Sequence, residues 1–469
     1  MCANNKNIAI IGGGITGLAA AFYLNKNENE TYDFTLFERS ERLGGKIQTV
    51  KRDGFIIERG PDSLVARKPS GVKLIKDVGL ESELVGNAAG QAYVLNNDKL
   101  YPIPGGAIMG IPTEVGPFIE TELFSLKGKA RAACDLILPR QSRENEDQSL
   151  GYFFRKRLGN EVVENLIEPL LSGIYSGDID ELSLMATFPQ FYEVEQKHRS
   201  LILGMKKTKP KRSKKQAERK PSAFVTLRNG LESLVTKIEQ LLPAESIRKN
   251  TTVEKVVKKS NGYELQLNSG EKLHFDAVII TSPHSAVRHM LRDYSFVNIL
   301  ENYPLASVAN VAMAFDASSV RIGKDGTGFV VSRNANYNIT ACTWTDRKWP
   351  HTTPDGKVLF RGYVGRPGHT EIVDADDEEM IDAVLQDLKK MMHIKGKPNF
   401  YVITRWKNMM PQYTVGHKLR IDALKSNVQA ELPGVFLAGS SFEGVGIPDC
   451  INQGIAAVEQ TRSFLNKKA

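Results

Sequence analysis

Cysteine is scarce in this chain: four residues in 469, at Cys2, Cys134, Cys342 and Cys450, far apart and without a C-x-x-C pair. That spacing argues against a disulfide framework or a structural zinc site, and it points to a reducing, cytoplasmic setting. Histidine is equally scattered. The nearest pair, His284 and His289, would not share a helix face, so no histidine metal centre is encoded and no metal ligands are assigned. Long apolar runs are missing as well. The most apolar stretch, IAIIGGGITGLAAAFYL from Ile8 to Leu24, holds four glycines and a threonine, with no basic lead and no small-residue cleavage site. It reads as strand, turn and helix rather than signal peptide or membrane span, which leaves at most peripheral contact with a membrane. No Ser-His-Asp set, paired carboxylate or fixed-period repeat stands out, and no pattern in the sequence sets an oligomeric state.

What is present is an ordinary globular composition, 41% hydrophobic and 25% charged, long enough for two or three domains. The net charge of +8 comes from one segment. Lys206 to Lys220, KKTKPKRSKKQAERK, carries nine Lys or Arg against one Glu, and the rest of the chain balances. Few apolar residues and no interleaved aromatics make this a solvated excursion; an electrostatic foot for anionic lipid, RNA or an acidic partner is the sharper alternative. No nucleic-acid partner is expected.

The chain opens with a βαβ pattern: a buried strand at Asn7 to Ile11, a glycine turn, a helix through Leu18 to Asn25, and a second strand, DFTLFE, at Asp33 to Glu38. From Pro112 to about Gly204 apolar residues recur at helical spacing. After an amphipathic helix at Gly230 to Leu242, TTVEKVVKKSNGYELQLNSGEKLHFDAVIITSP alternates as two or three strands with Asn-Gly and Ser-Gly turns, and DAVIIT suits a buried parallel strand. Four further runs, VANVAMAF, GTGFVVSR, ITACTW and KVLFRGYVG, predict an antiparallel sheet, and GVFLA at Gly434 to Ala438 predicts one more buried strand before a last helix from about Pro448 to Leu465. The expected architecture is α/β. A Rossmann-like domain is built from the discontinuous segments 1–85, 222–286 and 401–469, a mixed-sheet substrate domain from 86–111 and 287–400, and a helical subdomain from 112–221.

Chemistry concentrates in the first turn. Gly12, Gly14 and Gly17 form G-x-G-x-x-G between strand and helix, with Gly13, Ile15 and Thr16 between them, and Glu38 ends the next strand. The glycines permit the turn, the approach of a diphosphate to the backbone, and close packing of helix on strand; the helix N-terminus offers free N–H groups, and Glu38 suits ribose hydroxyls. NAD and FAD both fit this pattern. The turns that follow, Arg42-Leu43-Gly44-Gly45-Lys46 and Glu58-Arg59-Gly60-Pro61-Asp62-Ser63, resemble the flavin-dependent amine-oxidase superfamily, which implies FAD, bound noncovalently.

Three further stretches, LIEPLLSGIYSGD, RWKNMMPQY and SFEGVGIPDCINQG, resemble the bacterial oxygen-dependent porphyrinogen oxidases of haem synthesis, and the similarity runs over nearly the whole chain. It implies oxidation of coproporphyrinogen III to coproporphyrin III with O2 as acceptor and hydrogen peroxide as by-product, protoporphyrinogen IX being the alternative substrate. An amine oxidase or carotenoid desaturase of the same superfamily, or a non-catalytic flavin-fold binding protein, are the other readings. By the resemblance FAD would contact Gly12 to Gly17, Glu38, Arg39, Arg42, Gly45, Lys46, Gly60, Pro61, Asp62, Ser63, Val253, Trp406, Val445, Gly446 and Ile447. Lys68 is the candidate cation for substrate propionates and Ile174 a candidate for the apolar wall. Eukaryotic members carry an arginine where this chain has Gln91, so propionate anchoring is expected to differ. No catalytic acid or base is assigned, because the pyrrole nitrogens can shed their own protons as the ring gains conjugation. Cys450, at a helix start, is read as buried packing rather than a flavin link.

Overall fold

The computed structural model describes residues 6–26, 32–88, 90–144, 146–208 and 222–468. Most of the basic run, 209–220, lies outside the described residues.

Five parallel strands make the first sheet, in the order Ile247–Arg248, Tyr32–Phe37, Lys6–Ile11, Ala277–Ile280, Val435–Leu437. The central strands, NIAII ending at Ile11 and Ala277–Ile280, are almost wholly apolar because both faces of the sheet are covered. Ile8, Ile10, Ala277 and Ile279 pack under the helices Ile15–Asn25, Glu232–Leu241 and Ile447–Lys468. Ala9, Ile11, Val278 and Ile280 face a three-stranded antiparallel layer, Val253–Lys259, Gly262–Leu267 and Lys272–Phe275, and the helix His417–Glu431. Segments more than 400 residues apart in sequence thus share one core, as the discontinuous α/β architecture requires.

The second sheet has seven strands, in the order Phe400–Pro411, Leu305–Asp316, Lys357–Val364, Ile339–Trp344, Gly328–Val331, Ala92–Asn96, Lys99–Pro102. It is antiparallel except where Gly328–Val331 runs parallel to Ala92–Asn96, which makes it the expected mixed sheet, while the four runs read as antiparallel do pair that way. Ala92–Asn96 arrives from a distant part of the chain, so no hairpin fixes its direction. The boundary expected at 400/401 falls inside the first of these strands: residues up to Pro411 belong to this sheet, and the chain joins the parallel sheet at Val435.

Between them the helical subdomain packs Phe153, Phe154, Leu158, Leu166 and Phe191 into its own core. Fully buried Arg157 is matched there by Asp135, with Nε–Oδ1 2.6 Å, and by Glu195 at 3.4 Å. A π-turn at Val163–Ile167 precedes Pro169, which has no N–H to continue the regular ladder. Arg333, just after the Gly328–Val331 strand, reaches Glu168 at 3.0 Å and Asp180 at 3.1 Å, fastening this subdomain to the seven-stranded sheet.

Candidate functional site

The glycine turn is built as the fingerprint demands. Gly12 has φ +114°, and a Cβ on Gly17 would stand 2.0 Å from the Gly12 carbonyl oxygen, so neither position accepts a side chain. Gly14, the residue before the helix, caps nothing with a side chain, and a Cβ there would meet no atom within 4 Å. That open surface, ringed by the first-turn amides of Ile15, Thr16 and Gly17, is a cradle for a diphosphate. Gly13 N donates to Glu38 Oε2 at 2.8 Å, while Glu38 Oε1 accepts from Ser40 N at 2.9 Å and Ser40 Oγ at 2.7 Å. Oε2, with a single donor, keeps acceptor capacity for a ribose hydroxyl. Arg39 beside it is exposed. Thr251 N donates to Glu38 O at 2.9 Å, which brings the start of the Val253–Lys259 strand, with buried Val253, to the same end of the sheet.

The second turn folds directly onto the first. Gly44 N donates to Gly13 O at 2.8 Å, and Gly45, at φ +57°, sits where a Cβ would lie 3.4 Å from Gly14 Cα. Arg42 spends its guanidinium on this turn, donating to Gly45 O at 2.9 Å and to Ile47 O, and pairs with Glu232 at 3.2 Å. Lys46 points inward and donates to Met409 O. Burial lowers its pKa below the usual lysine value, with neighbouring Cys450 acting in the other direction.

The remaining candidates converge from the far end of the chain. A Cβ on Gly60 would lie 2.0 Å from Lys46 O and 3.7 Å from the Trp406 ring, so the Gly60–Ser63 turn is pressed against both. Trp406 Nε1 donates to Arg59 O at 3.0 Å. The last helix packs on the first: a Cβ on Gly454 would be 2.5 Å from Thr16 O. Its leader is fixed by Gln453, whose Oε1 accepts from Gly439 N at 2.8 Å and whose Nε2 donates to Glu443 O. Within this leader Val445 packs against the helical subdomain and Ile447 enters the core of the parallel sheet. Cys450 is 5% exposed, and burial pushes its thiol up to about 11 despite the helix start. Among the described residues no group of His, Cys, Asp or Glu is arranged to hold a metal, and no helix is long and apolar enough to cross a membrane.

Of the substrate candidates, Lys68 is engaged by Asp449, and Ile174 stands 46% exposed on the Glu168–Tyr175 helix. Gln91 turns onto the backbone, donating to Ala92 O at 2.7 Å and Ile103 O at 3.1 Å. Sequence reasoning missed a further layer. Behind the Gly60–Ser63 turn lie Arg361, Lys348, Trp349 and Asn310, all from the seven-stranded sheet domain. The available signal was Arg361 itself, a lone arginine in the apolar strand KVLFRGYV.

Compared with known proteins, residues 15–461 match the model of the flavin containing amine oxidoreductases. The chain belongs to that family. Coproporphyrinogen III oxidase of Bacillus subtilis is 56% identical, over 99% of this chain and 100% of that one. Protoporphyrinogen oxidase 1 of spinach chloroplasts is 31% identical, over 98% of this chain and 84% of that one. The crystal structure of a candidate protoporphyrinogen oxidase from Exiguobacterium superposes with a TM-score of 0.86 at 42% identity, covering 98% of this chain and 99% of that one. The flavin family supports FAD, and the open Gly14 position, the helix start without a side-chain cap and the Glu38 carboxylate on Gly13 N are compatible with a dinucleotide.

Proposed function

We propose that this chain oxidises coproporphyrinogen III to coproporphyrin III using noncovalently bound FAD and molecular oxygen, with hydrogen peroxide formed in each of three two-electron rounds. The observation that carries the proposal is identity of 56% along the whole chain to a coproporphyrinogen III oxidase, with the fingerprint glycines in the conformations a dinucleotide needs. FAD, when bound, supplies the two-electron acceptor that oxygen can regenerate.

The chain's own residues bind, orient and shield. Amides of Gly14 to Gly17 hold the diphosphate, Glu38 the adenosine ribose, and main-chain groups at Val253 the adenine edge. Arg42 and Gly45 shape the second turn, and Arg39 lies at the adenosine end. Lys46, Gly60 to Ser63, Trp406 and Val445 to Ile447 enclose the ring system, and water exclusion there strengthens each hydrogen bond made to it. Lys68 supplies a cation for a propionate and Ile174 an apolar contact for the macrocycle. No side chain is assigned as acid or base. Over the three rounds each of the four meso carbons gives up one hydrogen and two of the four pyrrole N–H groups give up theirs, three as hydride equivalents and three as protons that pass to solvent, and the protein's contribution is placement.

The test is parallel aerobic incubation of the holoenzyme with coproporphyrinogen III and with protoporphyrinogen IX, following porphyrin fluorescence. Faster gain with coproporphyrinogen III supports the proposal. A preference for protoporphyrinogen IX, the reading favoured by the Exiguobacterium and spinach names, overturns the substrate, and no gain over autoxidation with either overturns the activity.

A further inference from the structure

The segment Glu58–Ser63 is held from behind by the seven-stranded sheet domain at nearly every residue. Asn310 Nδ2 lies 3.4 Å from both Glu58 O and Arg59 O, and Trp406 Nε1 donates to Arg59 O at 3.0 Å. Arg361 Nη2 donates to Gly60 O at 2.8 Å. Asp62 accepts from Lys348 Nζ at 2.8 Å and Trp349 Nε1 at 3.2 Å, with Arg361 Nη1 3.6 Å away. Arg361 can do this because it lies two residues along its strand from Leu359, which packs on Phe55 and Ile57; both side chains leave the same face of the sheet, toward the hairpin that leads into the turn.

Arg361 is also a buried charge, 1% exposed, and its Nε has no partner; Thr345 Oγ1, 4% exposed, has none either. Both line a small cavity with Glu58, Asp62, Thr226 and Trp349, whose space for a water centre is about 10 Å³. That is room for one molecule, and two orphan polar atoms with a carboxylate are the partners such a molecule needs. Lys348 and Arg361 face one anion, Asp62, which burial alone would push upward but which these two cations hold well below the usual carboxylate range. Burial raises Glu58 to about 7, more than Leu231 N, the Thr49 hydroxyl and Arg361 offset, so it does not supply a full second negative charge at neutral pH.

We propose that Arg361 is the positioning residue of the Gly60–Ser63 turn. It ties the turn to the sheet domain through the Gly60 carbonyl, holds one internal water with Thr345, and places its own buried guanidinium charge behind the surface that faces the flavin. Such a charge favours the reduced, more negative form of a bound flavin. The inference rests on the flavin reading above, because it needs FAD to lie against this turn.

Holoenzyme variants Arg361→Lys, Arg361→Met and Thr345→Val test it, through the FAD dissociation constant, the flavin reduction potential and the kcat to KM split. Arg361→Lys keeps the charge but loses the planar fork that spans the Gly60 carbonyl and Asp62. It should weaken FAD binding about tenfold with the potential near wild type, the constant being as sensitive as one lost charge-assisted hydrogen bond allows. Arg361→Met should weaken binding further and make the potential more negative, lowering kcat with little change in KM. If Arg361→Met does not fold, the lysine variant decides: tenfold weaker binding supports the assignment, and wild-type binding overturns it. Thr345→Val should leave the potential unchanged and, in a crystal structure, lose a water that wild type shows between Arg361 Nε and Thr345 Oγ1; no water in wild type overturns that part. A role in folding alone would lower the melting temperature without moving the potential, which also overturns the proposal. Wild type that takes up no FAD sinks the flavin reading, and this inference with it; wild-type holoenzyme beside indifferent variants sinks only the assignment of Arg361.

Discussion

Lys68 Nζ lies 2.6 Å from each carboxylate oxygen of Asp449, joining the residue before the Pro69–Asp77 helix to the first turn of the last helix. Ser70 Oγ completes the junction by donating to Pro448 O at 2.9 Å. The cation expected to meet a propionate is therefore shared with an aspartate. Both side chains are partly exposed, 42% and 29%, so the pair contributes less than about 1 kcal/mol to stability. Lys68→Met should leave the melting temperature almost unchanged while raising KM for coproporphyrinogen III about tenfold, the effect of one lost charge-assisted contact. Asp449→Asn should lower KM by freeing the ammonium. Steady-state kinetics on both variants check this, and an unchanged KM in Lys68→Met removes Lys68 from the substrate site.

The leader of the last helix is crowded at two positions, strained in backbone at one of them. Gly444 has φ +60°, and a Cβ there would lie 2.7 Å from Asp449 Cβ; at Gly446 it would lie 2.8 Å from Asp449 Oδ2. Gly444→Val or Gly446→Val should weaken FAD retention about tenfold or more, the scale of 1–3 kcal/mol of local strain. The parallel sheet, to whose core this leader contributes only Ile447, should stay folded. The ratio of flavin to protein absorbance after gel filtration, read beside circular dichroism, is the check. Full occupancy in both variants contradicts the placement of Val445 to Ile447 at the flavin.

Cys450 should resist thiol reagents in the native holoenzyme, since burial removes access and keeps the thiol protonated, while half-buried Cys134 should react first among the cysteines of the described residues. Acid precipitation should leave all FAD in the supernatant. Flavin retained on the protein pellet would contradict noncovalent binding.

Glu58 gives stability a pH dependence of known sign. Its folded pKa is raised, to about 7 from 4.5, so the folded state holds the proton more tightly than the unfolded chain. The associated stabilisation is complete below about pH 4.5 and is lost as pH rises through 7. Glu58→Gln removes that loss, so the variant should gain on wild type by as much as about 3 kcal/mol between pH 5 and pH 8. Denaturant midpoints of both holoenzymes at the two pH values test this. A constant difference would mean Glu58 stays ionised in the fold.

The parts of this molecule that were legible in the sequence are those where neighbouring residues act together. The G-x-G-x-x-G turn and Glu38 belong to one βαβ unit, and Ala277–Ile280 announces itself as a parallel strand because both of its faces are buried. The last helix begins at Ile447, beside the expected Pro448. What was hidden depends on residues that meet only in the folded chain. Arg361 and Gly60 are 301 positions apart, Lys68 and Asp449 381, and no spacing rule links such pairs. Arg42 illustrates the same limit from the other side: the R-x-G-G-x pattern marks its position, but not that its guanidinium closes the turn on Gly45 and Ile47. Placing Trp406 in a flavin segment overlooked that its strand is also the edge of the second sheet, a pairing set by Leu305–Asp316.

The most direct measurement is the product balance of the purified holoenzyme given coproporphyrinogen III in air-saturated buffer, with porphyrin fluorescence and hydrogen peroxide recorded together against an enzyme-free control. The account predicts coproporphyrin III formed well above autoxidation, with about three peroxides for each porphyrin, as three two-electron rounds require. Porphyrin appearing at the control rate, with FAD bound, would contradict it.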